Sequence, residues 1–90
     1  MMTLSHAELG EIIDNAILNE EVICFWYEKR PQRGRVLRTL SPYECSPVGD
    51  TVLGYDHGRE ALRRFELSKI VAVEPYDDEE YVKPTPKEDR

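Results

Sequence analysis

The 90-residue sequence contains no long hydrophobic run. A helix that spans a membrane needs about 18 to 20 consecutive apolar residues, and no stretch of this chain approaches that length. The first residues, Met1 to His6, also lack the basic and apolar regions of a secretory signal. We therefore expect no membrane association and a cytoplasmic protein.

Cysteine and histidine are scarce, which argues against a metal site or a disulfide framework. The two cysteines, Cys24 and Cys45, belong to no CxxC or mixed Cys/His spacing. If the first hairpin turns near residues 31–32, Cys24 lies opposite Thr39 and too far from Cys45 to pair with it. We expect two free thiols, no metal and no cofactor.

Catalytic motifs are absent as well. No serine, cysteine or aspartate stands in a recognisable nucleophile context, and spacing alone positions no pair of carboxylates. The protein is therefore expected not to be an enzyme. Its length suffices for one domain with a small core and modest stability.

Two apolar runs between residues 51 and 74 organise the rest of the chain. The turn between them contains Asp56, which can bond the turn backbone, Gly58, which can adopt the positive φ of a tight hairpin, and His57, which tolerates such a geometry. After the turn, alternate residues are apolar, which predicts a strand with one buried and one solvated face. A single helical turn at residues 68–69 then precedes the last strand.

The N-terminal region predicts a helix. Ser5 and Glu8 have the spacing of a capping box, and apolar residues follow at helical spacing, so we expect a helix from about residue 6 to 18. Its apolar stripe is expected to cover the open side of the sheet.

Residues 22–28 are β-branched and aromatic, which predicts a strand that is apolar on both faces. We expect one of its faces in the core and the other partly under the helix. The return strand is expected over residues 35–43, where Pro42 ends the regular pairing or occupies an edge.

Together these patterns predict a mainly β (α+β) fold. We expect a five-stranded SH3-like or Sm-like β-barrel with one N-terminal helix in residues 1–75. Residues 76–90 have little to bury and contain three basic and six acidic residues, so we expect a mobile acidic tail there.

Basic residues are locally concentrated although the net charge is -6. A ten-residue window without acids contains Lys29, Arg30, Arg33, Arg35 and Arg38. Lys29, Arg30 and Arg33 in the hairpin loop either bind a nucleic-acid backbone or prevent the hairpin from pairing with another strand edge. Residues 77–80 are all acidic, and they either compete with nucleic acid by folding onto the basic strands or keep the chain soluble.

The order of a helix, an Ile-x-Phe-x-Tyr strand, a Leu-x-Gly-Tyr-Asp strand and an Arg-x-Phe-x-Leu-x-Lys-Ile segment resembles the WYL domain, a bacterial and phage module. The resemblance covers roughly Leu9 to Val73, and it depends on Ile23, Phe25, Tyr27, Arg38, Pro42, Leu53, Tyr55, Arg63, Phe65, Leu67, Lys69 and Ile70. It implies a regulatory module that senses a ligand or binds nucleic acid, usually fused to a helix-turn-helix. Only Leu53 of the name-giving Trp-Tyr-Leu is present here, and Glu66 stands where the family commonly has a basic residue.

Two functions remain open at this stage. In the first, Arg38, Arg63, Arg64 and Lys69 bind phosphates of single-stranded nucleic acid or of a nucleotide-like anion, with Tyr27, Trp26 or Tyr43 stacking on bases. The simpler interpretation of these cations is a solvated face with weak ion pairs. In the second, the chain is a protein-interaction module that docks on a larger complex or self-associates through a sheet edge, so an oligomer is possible.

Overall fold

The computed structural model describes residues 5–30, 34–46 and 48–84. Its elements are α1 (His6–Leu18), β1 (Ile23–Arg30), β2 (Gly34–Ser46), β3 (Thr51–Asp56), β4 (Ala61–Glu66), a 3-10 turn (Leu67–Lys69) and β5 (Ile70–Pro75). The 3-10 turn confirms the helical turn that was expected before the last strand. Helix α1 is not long and apolar enough to cross a membrane.

All five strands form one antiparallel sheet in the order β4-β3-β2-β1-β5. The predicted α+β fold with five strands and one helix is therefore confirmed. The barrel is not closed, because the two edge strands of the described sheet, β4 and β5, do not pair with each other. The three-residue turn Leu67–Lys69 takes the chain from one edge strand to the other.

Helix α1 begins with the predicted capping box. The Glu8 backbone N–H donates to Ser5 Oγ at 3.2 Å, and the Ser5 backbone N–H donates to the Glu8 carboxylate at 3.0 Å. These bonds satisfy two backbone donors that a helix terminus otherwise leaves open. The apolar stripe is buried against the sheet through Leu9, Ile13 and Ala16.

The helix lies on the sheet face that carries Ile23, Phe25 and Leu40. We call this helix-covered face the inner face and the opposite one the outer face. The alternate face of the first strand was expected to lie partly under the helix; there Val22 and Cys24 are buried, whereas Trp26 is 43% exposed. One apolar stripe can cover only one face of a sheet, and α1 covers the face that forms the core.

Strand β2 continues past Pro42 to Ser46. Its pairing with β1 ends at the Ile23–Leu40 pair, so Pro42 lies where β2 has β3 as its one neighbour. A proline there removes no hydrogen bond between β2 and β1. A β-bulge follows directly, and Tyr43 is its extra residue.

The turn between β3 and β4 differs from the predicted one. Asp56 does bond the turn, because its Oδ1 accepts from the Gly58 backbone N–H at 3.0 Å. The expected positive φ at Gly58 is wrong, however, and Glu60 has a φ of 53° instead. The chain closes a four-residue turn through Glu60 N–H, which donates to the Asp56 carbonyl at 2.7 Å, so the left-handed residue comes at the end of the turn.

Residues 76–84, which we call the tail segment, contain no helix or strand but pack against the sheet. The Tyr76 backbone N–H donates to the Val22 carbonyl at 2.9 Å, and the Tyr81 hydroxyl donates to the Pro42 carbonyl at 2.8 Å. The composition of this segment did not predict these contacts. The last six residues of the expected tail, 85–90, lie outside the described residues.

Candidate functional site

Two of the predicted site residues, Arg38 and Arg63, lie on the inner face. Arg38 on β2 pairs with Phe25, and Arg63 on β4 pairs with Gly54. Directly paired residues of antiparallel strands point to the same face of a sheet, and Phe25 belongs to the core beneath α1. The sheet therefore brings the two arginines to the same side as the core.

Three aromatic rings lie beside these arginines. Phe25 and Tyr27 on β1 both contact Phe65 on β4 edge to face, with centroids 5.3 and 5.0 Å from the Phe65 ring. Phe25 and Phe65 are buried, and the Tyr27 hydroxyl accepts a hydrogen bond from the Glu66 backbone N–H at 3.0 Å. The rings of Phe25, Tyr27 and Phe65, which we call the packed aromatic floor, therefore contact one another and do not offer open faces for stacking. The Arg63 guanidinium carbon lies 6.0 Å from the Phe65 ring centroid, at the outer limit of a cation–π contact.

Arg38 is half-buried, and its Nε has no hydrogen-bond partner among the described residues. A buried donor without an acceptor costs about 1–3 kcal/mol. Asp56 is buried nearby on the same face, opposite Leu40, and its Oδ2 also has no partner among the described residues. The described residues therefore leave a buried donor of Arg38 open.

Lys69 stands next to this face in the 3-10 turn. Its ammonium lies 3.0 Å from a carboxylate oxygen of Glu66, and this hydrogen bond raises the pKa of Lys69 above its ordinary value. Tyr27 is among the groups whose electrostatic influence it feels. The lysine therefore stays charged at neutral pH, although Glu66 offsets part of its field.

Arg64 and Tyr43, the other predicted site residues, lie elsewhere. Arg64 pairs with Leu53, so it points to the outer face, and it is exposed. The Tyr43 hydroxyl donates to the Val82 carbonyl at 2.5 Å, and its ring meets the edge of Tyr81 with centroids 6.1 Å apart. By register, Arg38, Arg63 and Tyr27 thus share the inner face, whereas Arg64 lies on the outer face and Tyr43 contacts the tail segment. The side chains of Lys29 and Arg30, and Arg33 as a whole, lie outside the described residues.

His57 takes part in a hydrogen-bonded chain on the outer face. Its Nε2 is 2.7 Å from Ser41 Oγ, and its Nδ1 is 2.6 Å from a carboxylate oxygen of Glu79. The order of groups is that of a Ser-His-acid triad. Ser41 is nonetheless fully buried, and its Oγ accepts from the Val82 backbone N–H at 3.0 Å, so no substrate carbonyl can approach it. No local signal could have found this chain, because the histidine is 16 and 22 residues from its partners.

The two thiols are free, as predicted. Burial raises the pKa of Cys24 and raises the pKa of Cys45 to about 11, so both are protonated and poorly nucleophilic at neutral pH. Within the described part of the chain, no group of three or more His, Cys, Asp or Glu side chains could hold a metal ion.

Comparison with known proteins adds two findings. A family model described as the WYL domain matches residues 8–75. Among solved structures, the proteasome accessory factor B/C (PafBC) of Arthrobacter aurescens is similar, with a TM-score of 0.65 and 20% sequence identity over 78% of this chain. That likeness shows the fold alone, and the chain spans only 11% of the PafBC chain. No curated protein matches the sequence.

Proposed function

Because the chain belongs to the WYL domain family, whose model matches residues 8–75, we propose that it is a regulatory or accessory module without chemistry of its own. Its ligand is an anion, either the phosphate backbone of a nucleic acid or a small phosphorylated molecule. The binding surface is the part of the inner face that carries Arg38 and Arg63, with Lys69 beside it. The name of the similar structure, a proteasome accessory factor, agrees with an accessory role but specifies no ligand.

The observation that supports this proposal most strongly is the state of Arg38. It is half-buried on the same face as Arg63, and its Nε has no acceptor among the described residues. Surface arginines with full access to water gain little from an ion pair. A half-buried guanidinium gains more, because its contacts with a ligand oxygen are charge-assisted and screened less by solvent.

The packed aromatic floor favours phosphate recognition over base stacking. The Phe25 and Phe65 rings are buried, and Tyr27 is tied to Glu66 through its hydroxyl. Proteins that bind single strands by stacking present open ring faces. We therefore propose binding that depends on charge and salt and is nearly independent of base sequence.

The test is a fluorescence-anisotropy titration of the protein against labelled single-stranded DNA and RNA at 50 and at 200 mM salt. We expect saturable binding that weakens steeply with salt, since each neutralised phosphate releases counterions. Arg38→Gln and Arg63→Gln should each lower the affinity about tenfold, the value of one charged hydrogen bond. Inorganic phosphate and pyrophosphate serve as small competitors.

Arg64→Gln is the matched control, because it removes the same charge from the neighbouring position of β4 on the outer face. We expect it to change the affinity less than twofold, as an exposed charge outside the site does. If Arg64→Gln weakened binding as much as Arg63→Gln, the inner face would not be the binding surface. The proposal fails altogether if neither nucleic acid nor the small phosphates bind at millimolar concentration.

A second candidate function, protein docking, rests on the outer face. Trp26 and Leu37 pair across β1 and β2 and are 43% and 50% exposed, and Val71 on β5 pairs with Trp26 from the other side. Exposed apolar side chains in a row are typical of interaction surfaces. Sedimentation at rising protein concentration tests self-association, which Trp26→Ser should abolish. Leu62→Ser, at an exposed leucine away from this row, should have no effect.

A further inference from the structure

The outer face carries a second site, which is filled by the tail segment. Four residues form it: Ser41, Pro42 and Tyr43 on β2 and His57 after β3. We call these four residues the strip. Every one of them hydrogen-bonds to the tail segment, through a side chain in three cases and through the backbone carbonyl of Pro42 in the fourth.

The strip contacts three features of the segment: the Glu79 carboxylate, the Tyr81 hydroxyl and the Val82 backbone. Glu79 is recognised through His57 Nδ1 at 2.6 Å, and the Tyr81 hydroxyl donates to the Pro42 carbonyl at 2.8 Å. Both backbone polar groups of Val82 are bonded, the N–H to Ser41 Oγ at 3.0 Å and the carbonyl to the Tyr43 hydroxyl at 2.5 Å. The Val82 side chain is exposed, so the strip requires a backbone N–H at that position rather than a valine.

These contacts are directional, and each joins a polar group of the strip to a polar group of the segment. Ser41 is fully buried, and it joins the Val82 N–H to the His57 ring, whose other nitrogen faces Glu79. The tautomer that satisfies all of these groups has a proton on Nδ1 and accepts from Ser41 at Nε2. Removing the segment would take the Val82 N–H from Ser41 Oγ and the Glu79 carboxylate from the His57 ring, and an occupied strip keeps both groups bonded.

We propose that the strip is a peptide-recognition site for segments of the form Glu-x-Tyr-x, in which the last residue is not proline, and that the chain fills it with its own residues 79–82. The partner is a protein with an exposed segment of this chemistry. This proposal is independent of the anion-binding function, because the strip lies on the other face of the sheet. It uses none of the inner-face cations.

The segment occupies the strip in cis through a short connection. Strand β5 ends at Pro75, and four residues later Glu79 is bound. A flexible tether of this length gives an effective concentration in the millimolar range. A free peptide at micromolar concentration therefore cannot displace it, and the site becomes measurable only when the tethered segment is weakened.

The experiment uses the full chain with Glu79→Gln and Tyr81→Ala combined, two changes in the tail segment that leave the strip intact. The probe is a fluorophore-labelled peptide with the sequence of residues 76–84. We expect saturable binding to this double variant and at least tenfold weaker binding to the unchanged chain. Glu80→Gln in place of the double change is the control, and it should behave as the unchanged chain does.

Two further arms separate recognition from nonspecific adhesion. A peptide with Gln at the position of Glu79 should bind the double variant about tenfold more weakly, because it loses the charge-assisted bond to His57. Tyr43→Phe, added to the double variant, removes one donor to the peptide backbone and should also weaken binding severalfold. Thermal unfolding verifies that each variant is folded, and Tyr81→Phe replaces Tyr81→Ala if the double variant is not.

The proposal is overturned if the labelled peptide fails to bind the folded double variant at millimolar concentration. It is equally overturned if the Glu and Gln peptides bind alike. Binding that follows the predicted order of the peptides and variants supports it.

Discussion

Two neighbouring arginines on β4 show how the pleat of a strand decides the role of a single residue. Arg63 pairs with Gly54 and points to the inner face, whereas Arg64 pairs with Leu53 and points to the outer face. Successive side chains of a strand alternate between faces. The two residues carry the same charge on opposite faces, so comparing their variants separates an effect of the site from a loss of net charge.

Gly54 is required because β2 approaches it closely. A Cβ at this position would collide with the Ser41 carbonyl oxygen and lie 2.9 Å from both Leu40 Cγ and Pro42 Cα. Backbone atoms of the adjacent strand cannot rotate away. We expect Gly54→Ala to lower the free energy of unfolding by about 1–3 kcal/mol, the usual cost of overpacking, as measured by urea denaturation.

Gly58→Ala is the control for Gly54→Ala. The nearest atom to a Cβ there is Asp56 Oδ1 at 3.5 Å, and Gly58 does not adopt a positive φ. We expect a change within about 0.5 kcal/mol. Equal losses from the two substitutions would contradict the close approach of β2 and β3.

For single residues, the sequence predicts the sheet face on which a side chain lies better than it predicts the side chain's hydrogen-bond partner. The alternation of Arg63 and Phe65 with exposed residues places both on one face, and the structure agrees. The roles of Tyr27 and Tyr43 were not predictable, because each hydroxyl is engaged by a residue 39 positions away, Glu66 in one case and Val82 in the other. Local patterns contain no information about such distant pairs.

Among the elements, β5 contains a bulge that the sequence does not reveal. Phe25 pairs with Val73 and Trp26 with Val71, so Ala72 is the extra residue, and its φ is 57°. A left-handed conformation costs a non-glycine residue about 1–2 kcal/mol. We expect Ala72→Gly to raise the free energy of unfolding by about 0.5–1 kcal/mol, measured by thermal and urea unfolding.

The opposite result is expected for Ala61→Gly on β4, which lies outside any bulge and has no positive φ. Glycine in an ordinary strand position costs about 0.5–1 kcal/mol. If both substitutions destabilised the protein alike, the left-handed bulge at Ala72 would be absent.

The elements that depend on local signals were predicted well, and those that depend on a neighbour were not. Helix α1 was predicted because its capping box and its apolar period lie within its own residues. The continuation of β2 past Pro42 was not, since it depends on where the pairing with β1 ends. The packing of the tail segment was also not predicted. The segment is acidic, and its composition does not show that its two tyrosines hydrogen-bond to Val22 and Pro42.

Over the whole molecule, the acidic tail segment and the two inner-face arginines lie on opposite faces of the sheet. The inner face carries Arg38 and Arg63, while the tail segment with its acids at 77–80 crosses the outer face, where Glu79 is bound to His57. These acids therefore lie across the sheet from the two arginines. A negative net charge of -6 is compatible with a local anion site, because salt screens distant charges more than near ones.

This arrangement predicts that the effect of an acidic residue on anion affinity depends on its distance from the inner-face cations. Glu66→Gln removes a carboxylate 3.0 Å from the Lys69 ammonium, and we expect about fivefold tighter binding of a labelled oligonucleotide. Asp78→Asn in the tail segment should change the affinity less than twofold at 50 mM salt and not at all at 200 mM. Equal effects of the two substitutions in the anisotropy titration would contradict this arrangement.

The most direct test of the inner-face site is the NMR signal of the arginine side chains. The Nε–H signals of Arg38, Arg63 and Arg64 can be followed in a nitrogen-15 correlation spectrum while a short oligonucleotide or pyrophosphate is added. We expect large, saturable shifts for Arg38 and Arg63 and none for Arg64, because only the first two lie on the proposed binding face. Shifts confined to Arg64 and other outer-face residues would show that the anion does not bind on the inner face.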